Sequence, residues 1–415
     1  MTRDADTRLR YFGLTSFAVL VVAYFFVYFQ RISVGIVGSD IVDDVGGSIG
    51  LLSSVYFWTY TLMQIPSGLM ADRFGPRAAS CTFLALAAAG SLLTFVGQDF
   101  TAMVVGKIMI AAGMAVIYVP LMRIVAVWFP MGSFAFMNAV VIAIGNVGAI
   151  VAAGPLGVLA DTVGWRNVYL VLGAVTGVLA LSAAVFVRDS PEGSVMHRTD
   201  GMAVVRGMLT IFRDGRRFWA CAIAYLLVYG TIMTFQGTWA AKYLSDVQGM
   251  VAWSAWMVTC IGLGKIAGTL LLGHLASGGA VTSKRRAMLF GTSCFTLVWV
   301  LIALMPEGVG SLWVWIPVCT AFGFFGGFMT LSFTQVKEWY PIELAGSAVS
   351  ALNIFLFLGA SMATTVSAFM IGSDYSPESF RSLWTVMAVL AGASTLCIYL
   401  SREKGREQSG TFHNR

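Results

Sequence analysis

Apolar residues run along this chain in long blocks, not in alternation. A bilayer-crossing helix needs about 20 mainly apolar residues. Windows of that width fall at 12–37, 49–71, 78–97, 101–129, 133–158 and 167–188, and again at 218–244, 250–276, 286–305, 311–337, 344–371 and 379–401. The longest polar interruption, 189–217, divides the twelve blocks into two sets of six. The pattern predicts an N-terminal six-helix bundle over 1–188, a cytoplasmic linker over 189–217, and a C-terminal six-helix bundle with a cytoplasmic tail over 218–415. A membrane β-barrel would show alternating strands of about ten residues, and none is present. The expected fold class is an all-α membrane protein of twelve transmembrane helices.

Composition agrees and excludes other classes. Of 415 residues, 58% are hydrophobic and 11% charged, with 45 Gly besides. Soluble domains carry about 25% charged residues and have no means of hiding so much apolar surface. The net charge of +6 matters through its placement. With the N-terminus inside, inner segments hold nineteen Lys and Arg and outer loops only Arg166, Lys242 and Arg381. By the positive-inside rule both termini are cytoplasmic, and no nucleic-acid partner is required. The first span is too long for a signal-peptide core, so no cleavage is expected. The six Cys all fall in spans without a CxxC pair, which reads as apolar filler. There are only three His, no metal-spaced ligands, no GxSxG and no phosphate-binding glycine loop, so neither an enzyme nor a cofactor is expected.

The two sets of spans echo each other. Tyr24-Phe-Phe-Val-Tyr28 in span 1 matches Tyr225-Leu-Leu-Val-Tyr229 in span 7, and Trp128-Phe129-Pro130 after span 4 matches Trp339-Tyr340-Pro341 after span 10. Span 2 ends in Gly68-Leu-Met-Ala-Asp72-Arg73-Phe-Gly75-Pro-Arg77. Gly68 suits close helix packing, Gly75 turns the chain, and Asp72 is placed to cap a helix or pair with a base.

This stretch fits the pattern G-x-x-x-D-R-x-G-x-R, and with the duplication the whole chain resembles the major facilitator superfamily of secondary transporters. The resemblance implies two pseudo-symmetric bundles of inverted three-helix repeats, a substrate site near the midplane, and a monomer. Tyr28-Phe-Gln-Arg31-Ile-Ser33, Gly145-Asn146-Val-Gly148, Gly164-Trp165-Arg166 and Gln236-Gly237-Thr-Trp239 resemble a bacterial branch labelled nitrate/nitrite-like or uncharacterised. Nitrate carriers rely on an arginine in span 2, which has no basic residue here before Arg73. The resemblance therefore places the fold and a bacterial inner membrane, but no substrate.

Four cations lie inside spans: Arg31, Lys107, Arg123 and Lys265, while every Asp and Glu falls in a loop, a tail or a span end. A cation at the bilayer centre costs a few kcal/mol, and a wet cavity holding an anion accounts for cations without acids. Lys265 is about 22 Å into its span and too deep to snorkel; the alternative is a bond to a helix carbonyl. In several anion-carrying branches of the superfamily a basic residue in span 8 contacts substrate. Arg31 shares a face with Tyr24 and Tyr28 at i, i+4, i+7 spacing, a set suited to carboxylate or phosphate oxygens. Its alternative is an arginine snorkelling to the outer interface. Lys107 and Arg123 face nearly opposite ways on span 4, so Lys107 is assigned to the path and Arg123, with the Gly68–Arg77 motif, to structure and gating. Asn146, Gln236, Trp239 and Asn353 are uncharged candidates for the cavity wall, or ties between helices.

Proton-coupled carriers and cation exporters keep an acid within the bundle, and none is found unless Asp40 or Asp161 at the outer ends serves. The expectation is a carrier of a small organic anion, a carboxylate above all, working as uniporter or exchanger, with the solute and the lipid bilayer as its partners. The alternatives are an exporter of a larger metabolite, such as a carboxylate siderophore or amphiphilic drug, and a non-transporting membrane receptor.

Overall fold

The computed structural model describes residues 2–130, 133–190, 201–213, 216–277, 283–372 and 374–401. The first half contains α1 (Thr2–Val45), α2 (Ile49–Leu62), α3 (Gln64–Val96), α4 (Phe100–Ala115), α5 (Tyr118–Trp128), α6 (Phe134–Val151), α7 (Gly154–Val163) and α8 (Trp165–Phe186). After α9 (Gly201–Arg213) the second half contains α10 (Arg216–Thr234), a π-helical turn (Phe235–Trp239), α11 (Ala240–Asp246), α12 (Ser254–Ser277) and α13 (Lys284–Leu304). It closes with α14 (Leu312–Gly326), a 3-10 turn (Gly327–Thr330), α15 (Leu331–Trp339), α16 (Ile342–Ile371) and α17 (Pro377–Leu400).

Ten helical stretches are long and apolar enough to cross a membrane, three of them joining α4 to α5, α10 to α11 and α14 to α15, or eleven with α6 and α7 taken as one span bent by 42°. The remaining span, 49–71, is divided between α2 and the head of α3, which gives the twelve crossings of the sequence pattern. Proline explains the breaks. It lacks an N–H and its ring clashes with the carbonyl four residues back. Pro66 follows the α2–α3 break, Pro120 the α4–α5 break and Pro155 the α6–α7 break, each by about one helical turn. Spans 2 and 3 meet at Gly75, whose φ of 80° and ψ of 164° interrupt α3; that left-handed φ suits only glycine.

Within each half the helices pack at backbone contact. A Cβ on Gly148 of α6 would meet the Phe25 carbonyl of α1 at 2.2 Å, and one on Gly359 of α16 would meet the Leu226 carbonyl of α10 at 2.1 Å. Phe25 and Leu226 are 201 residues apart and the glycines 211, the offsets of the Tyr pairs and the Trp-aromatic-Pro ends. The duplication thus extends to how span 1 packs on span 5 and span 7 on span 11. Small residues let transmembrane helices approach this closely without a water-driven hydrophobic force.

The halves meet at the end of the bundle remote from the chain termini, here called distal. Gly35 lies against the Gly237 carbonyl, Gly50 against Ala368, and Gly154 against the Trp256 ring, while the Gly154 N–H donates to Thr259 Oγ1 at 2.9 Å. Toward the terminal end, α5 and α15 pack within their own halves. A Cβ on Gly68 or Gly346 there would meet nothing among the described residues within 4 Å. The close packing expected at Gly68 is therefore not found, because the halves part where it sits.

Replacing Gly359 by Ala should lower the melting temperature in detergent, since overpacking costs about 1–3 kcal/mol. Gly346→Ala should leave it unchanged. Unmasking of the buried Cys221 and Cys319 to a thiol-reactive dye reads both, and equal melting of the two variants would contradict this packing.

Candidate functional site

Arg31 sits midway between the halves and is almost wholly buried. Its guanidinium lies 4.4 Å from the centre of the Tyr28 ring, 5.2 Å from Tyr60 and 5.0 Å from Phe357, and Nη1 donates to the Tyr229 hydroxyl at 3.2 Å. Three aromatic faces and one phenol from α1, α2, α10 and α16 thus replace the missing carboxylate. Ring quadrupoles attract a desolvated cation by about 2 kcal/mol or more each at best. Nε of Arg31 and the hydroxyl of Tyr56 are nevertheless buried without a hydrogen-bond partner.

Lys265, on α12, faces the same space. Its Nζ lies 5.4 Å from the centre of the Tyr229 ring, so one tyrosine bonds Arg31 through its hydroxyl and underlies Lys265 with its ring. Among the described residues Nζ makes no hydrogen bond or ion pair. The helix-carbonyl alternative weighed from the sequence is not what this arrangement shows. Gly264 and Gly268 serve packing instead: a Cβ on either would strike the Thr320 or Phe324 carbonyl of α14.

The two cations border a narrow cleft together with Tyr28, Asn146, Tyr229 and Gln236. Among the described residues no carboxylate lines it. Arg31, Tyr28 and Asn146 come from the first half, and Lys265, Tyr229 and Gln236 from the second.

Other sequence candidates lie elsewhere. Lys107, assigned to the path, is fully buried inside the first half and donates to the Tyr169 hydroxyl of α8 at 2.6 Å. Tyr24 packs between the rings of Tyr28 and Tyr118, one turn behind the cavity wall. Trp239 is buried against Tyr375 and Phe380, and its Nε1 donates to Ser367 at 2.8 Å. It shares a face with Gln236 on a regular helix, but the π-helical turn between them redirects it. Asn353 donates to Gln64 Oε1 at 2.8 Å and ties α16 to α3 across the halves. Asp40 and Asp161 line a separate distal cavity of about 180 Å³ with Lys242 and Asp246.

Comparison with known proteins shows the family. The sequence profile of the Major Facilitator Superfamily matches residues 20–318 and 251–414. The chain belongs to the Major Facilitator Superfamily. It is a multi-pass membrane transporter and not an enzyme. The "Probable sulfoacetate transporter SauU" of Cupriavidus necator is 24% identical over 85% of this chain and 85% of its own length. The "Probable L-galactonate transporter" of Escherichia coli is 23% identical over 96% and 91%. The crystal structure of a bacterial homologue of the human lysosomal transporter Spinster, inward-facing and unoccupied, superposes with a TM-score of 0.75 at 16% identity, covering 97% of this chain and 98% of that one.

The superfamily motif at 68–77 is anchored by a residue the sequence pattern did not single out. Asp189, just past α8, accepts from the Arg77 N–H at 2.7 Å, and a Cβ on Gly75 would lie 3.0 Å from its carboxylate. Its carboxylate caps the helix that restarts after Gly75, as an N-cap side chain would. Arg77 Nε donates to the Ala184 carbonyl at 2.7 Å, and Arg123 Nη1 to the Ala71 carbonyl at 2.7 Å. Arg73 is exposed, with its guanidinium 5.6 Å from the Phe74 ring. The side chain of Asp72 and residue His197 lie outside the described residues, as does the side chain of His274.

Of the cage members, Tyr60 is one of three span 2 aromatics, with Tyr56 and Trp58, of which the sequence allows one to line the path, while Phe357 and Tyr229 were missed. Of these two, Tyr229 carried a signal, as the repeat mate of the cavity residue Tyr28. Asp189→Ala should destabilise the transporter by about 0.5–2 kcal/mol, the usual cost of losing such a cap. A lowered melting temperature with Asp189→Ala, largely restored by Asp189→Asn, checks it; an unchanged one removes the capping role.

Proposed function

We propose that the protein carries a small organic anion, a carboxylate above all, across the bacterial inner membrane by alternating access, with both termini cytoplasmic. The observation that carries this reading is one cavity bordered by Arg31 from the first half and Lys265 from the second, without an acid among its lining residues. Each cation pays a desolvation cost that a bound anion offsets. An arginine with an unpartnered Nε offers a planar donor to a carboxylate, and a lysine offers a point charge. Binding to both draws the halves together, which suits a site at the interface of rocking bundles.

The names of the relatives support the substrate class. Sulfoacetate and L-galactonate are organic acids, and another relative, from Escherichia coli, is called a "Probable galactarate/D-glucarate transporter" at 23% identity. Tyr28, Tyr229, Asn146 and Gln236 would receive the remaining polar groups of such a solute. Lys107, Tyr24, Trp239 and Asn353 are left out of the contact set because they do not line the cavity.

The test uses protein reconstituted in liposomes and a panel of sulfoacetate, L-galactonate, galactarate and other mono- and dicarboxylates. At least one should be taken up, and the same one should raise the melting temperature. Arg31→Gln and Lys265→Gln should each lower uptake by at least tenfold, because losing one charged hydrogen-bonding partner costs about 1.5–3 kcal/mol. Wild-type uptake of every carried anion by both variants would end the proposal.

A further inference from the structure

The polar side chains around the cleft fall into two sets, one on each half. On the first half the Arg31 guanidinium lies 4.4 Å from the centre of the Tyr28 ring. A Cβ on Gly145 of α6 would meet that ring at 2.9 Å, and the next residue, Asn146, lines the same wall. On the second half a Cβ on Gly262 of α12 would lie 3.8 Å from Gln236 Nε2. Gly262 precedes Lys265 by about one helical turn, which brings Gln236 and Lys265 together. Among the described residues the side chains of Tyr28, Asn146, Gln236 and Lys265 make no hydrogen bond, and Arg31 Nε is buried without a partner. Tyr229 stands between the sets. Its hydroxyl accepts from Arg31 Nη1 at 3.2 Å, and its ring centre is 5.4 Å from Lys265 Nζ.

We propose that this site takes a dianion: a short solute with two acidic groups, one held by Arg31, Tyr28 and Asn146 and the other by Lys265 and Gln236. The proposal rests on the anion-carrier reading and narrows its substrate class.

Three features carry it. The first is charge balance. The cleft is bordered by two cations and by no acid. One acidic group answers one cation and leaves the other desolvated without a counter-charge, the costly state for a buried ion. Two acidic groups bring the site to neutrality, in which form it lies at least cost within a bilayer. The second is the donor set. An ionised carboxylate only accepts hydrogen bonds, and every side chain of the two sets can donate them. The third is spacing. Tyr229 holds the cations at different parts of one phenol, so a single carboxylate, with both oxygens on one carbon, suits one cation at a time. Two acidic groups separated by a short carbon chain suit both.

The test compares solutes that match in length and differ by one charge, at pH 7.5, where all are ionised: succinate with succinamate, galactarate with L-galactonate, and sulfoacetate with 2-hydroxyethanesulfonate. Affinity is read by calorimetry on purified protein, and uptake separately in proteoliposomes. In at least one pair the dianion should bind at least about tenfold more tightly than its partner, the effect of one charged hydrogen-bonding group. Lys265→Gln should bring that ratio close to one, chiefly by weakening the dianion, while Lys265→Arg should keep most of it.

Monoanions that bind as tightly as their dianion partners overturn the proposal and leave the carrier reading standing; this comparison needs no variant. A dianion preference that survives Lys265→Gln also overturns it. A dianion that binds with the expected preference but is never taken up upholds the two-group site and counts against the carrier reading. Wild-type protein that binds no member of any pair overturns the proposal.

Discussion

A positive charge held away from water without a counter-charge is the constraint on which this structure turns. Arg31 cannot give up its proton, so the fold must surround it with groups that tolerate it. It does so with the faces of Tyr28, Tyr60 and Phe357 and the hydroxyl of Tyr229. Two of those groups belong to the opposite half. The cost of burying one side chain is met only when both halves stand in register around it. Domain arrangement and site chemistry are therefore one problem.

The scaffold that brings them into register relies on what glycine omits. Gly148 and Gly359 let α1 and α10 lie against their neighbours at carbonyl contact, in equivalent places of the two halves. Proline then breaks spans 2, 4 and 5 partway across. Broken helices free backbone groups and allow independent tilts of the two segments. The long spans are thus assembled from shorter rods whose joints lie near membrane depth.

Much of this was legible in the sequence. Block length gave the twelve spans, and the Tyr and Trp offsets marked the duplication that reappears in the glycine contacts. Arg31, Lys265, Tyr28, Asn146 and Gln236 stand around one cavity because deep polar residues in apolar helices have few other reasons to be there. What escaped notice depended on tertiary geometry. Depth alone put Lys107 beside the path, but its neighbour Tyr169 comes from a helix 62 residues later, and linear spacing carries no record of that. Gln236 and Trp239 were both candidates for the cavity wall, but they lie on a π-helical turn that sends Trp239 away from it. Asp189 lies 112 residues from the Arg77 it serves, in what read as plain linker.

The seam between the halves has a consequence of its own. Across it run Trp58 to Thr365 at 2.9 Å, Thr61 to Ser361 at 2.9 Å, Asn353 to Gln64 at 2.8 Å, the Gly154 N–H to Thr259 at 2.9 Å and Arg31 to Tyr229 at 3.2 Å, besides glycine contacts and packed rings; among the described residues no salt bridge crosses it. Apart from Arg31 these are neutral hydroxyls and amides, which exchange partners with water at small net loss, so that part of the latch is shallow. Inverting a 1:99 preference requires about 5.5 kcal/mol. A bistable machine fastened this lightly answers to modest cargo affinity, and its switching should be nearly indifferent to ionic strength.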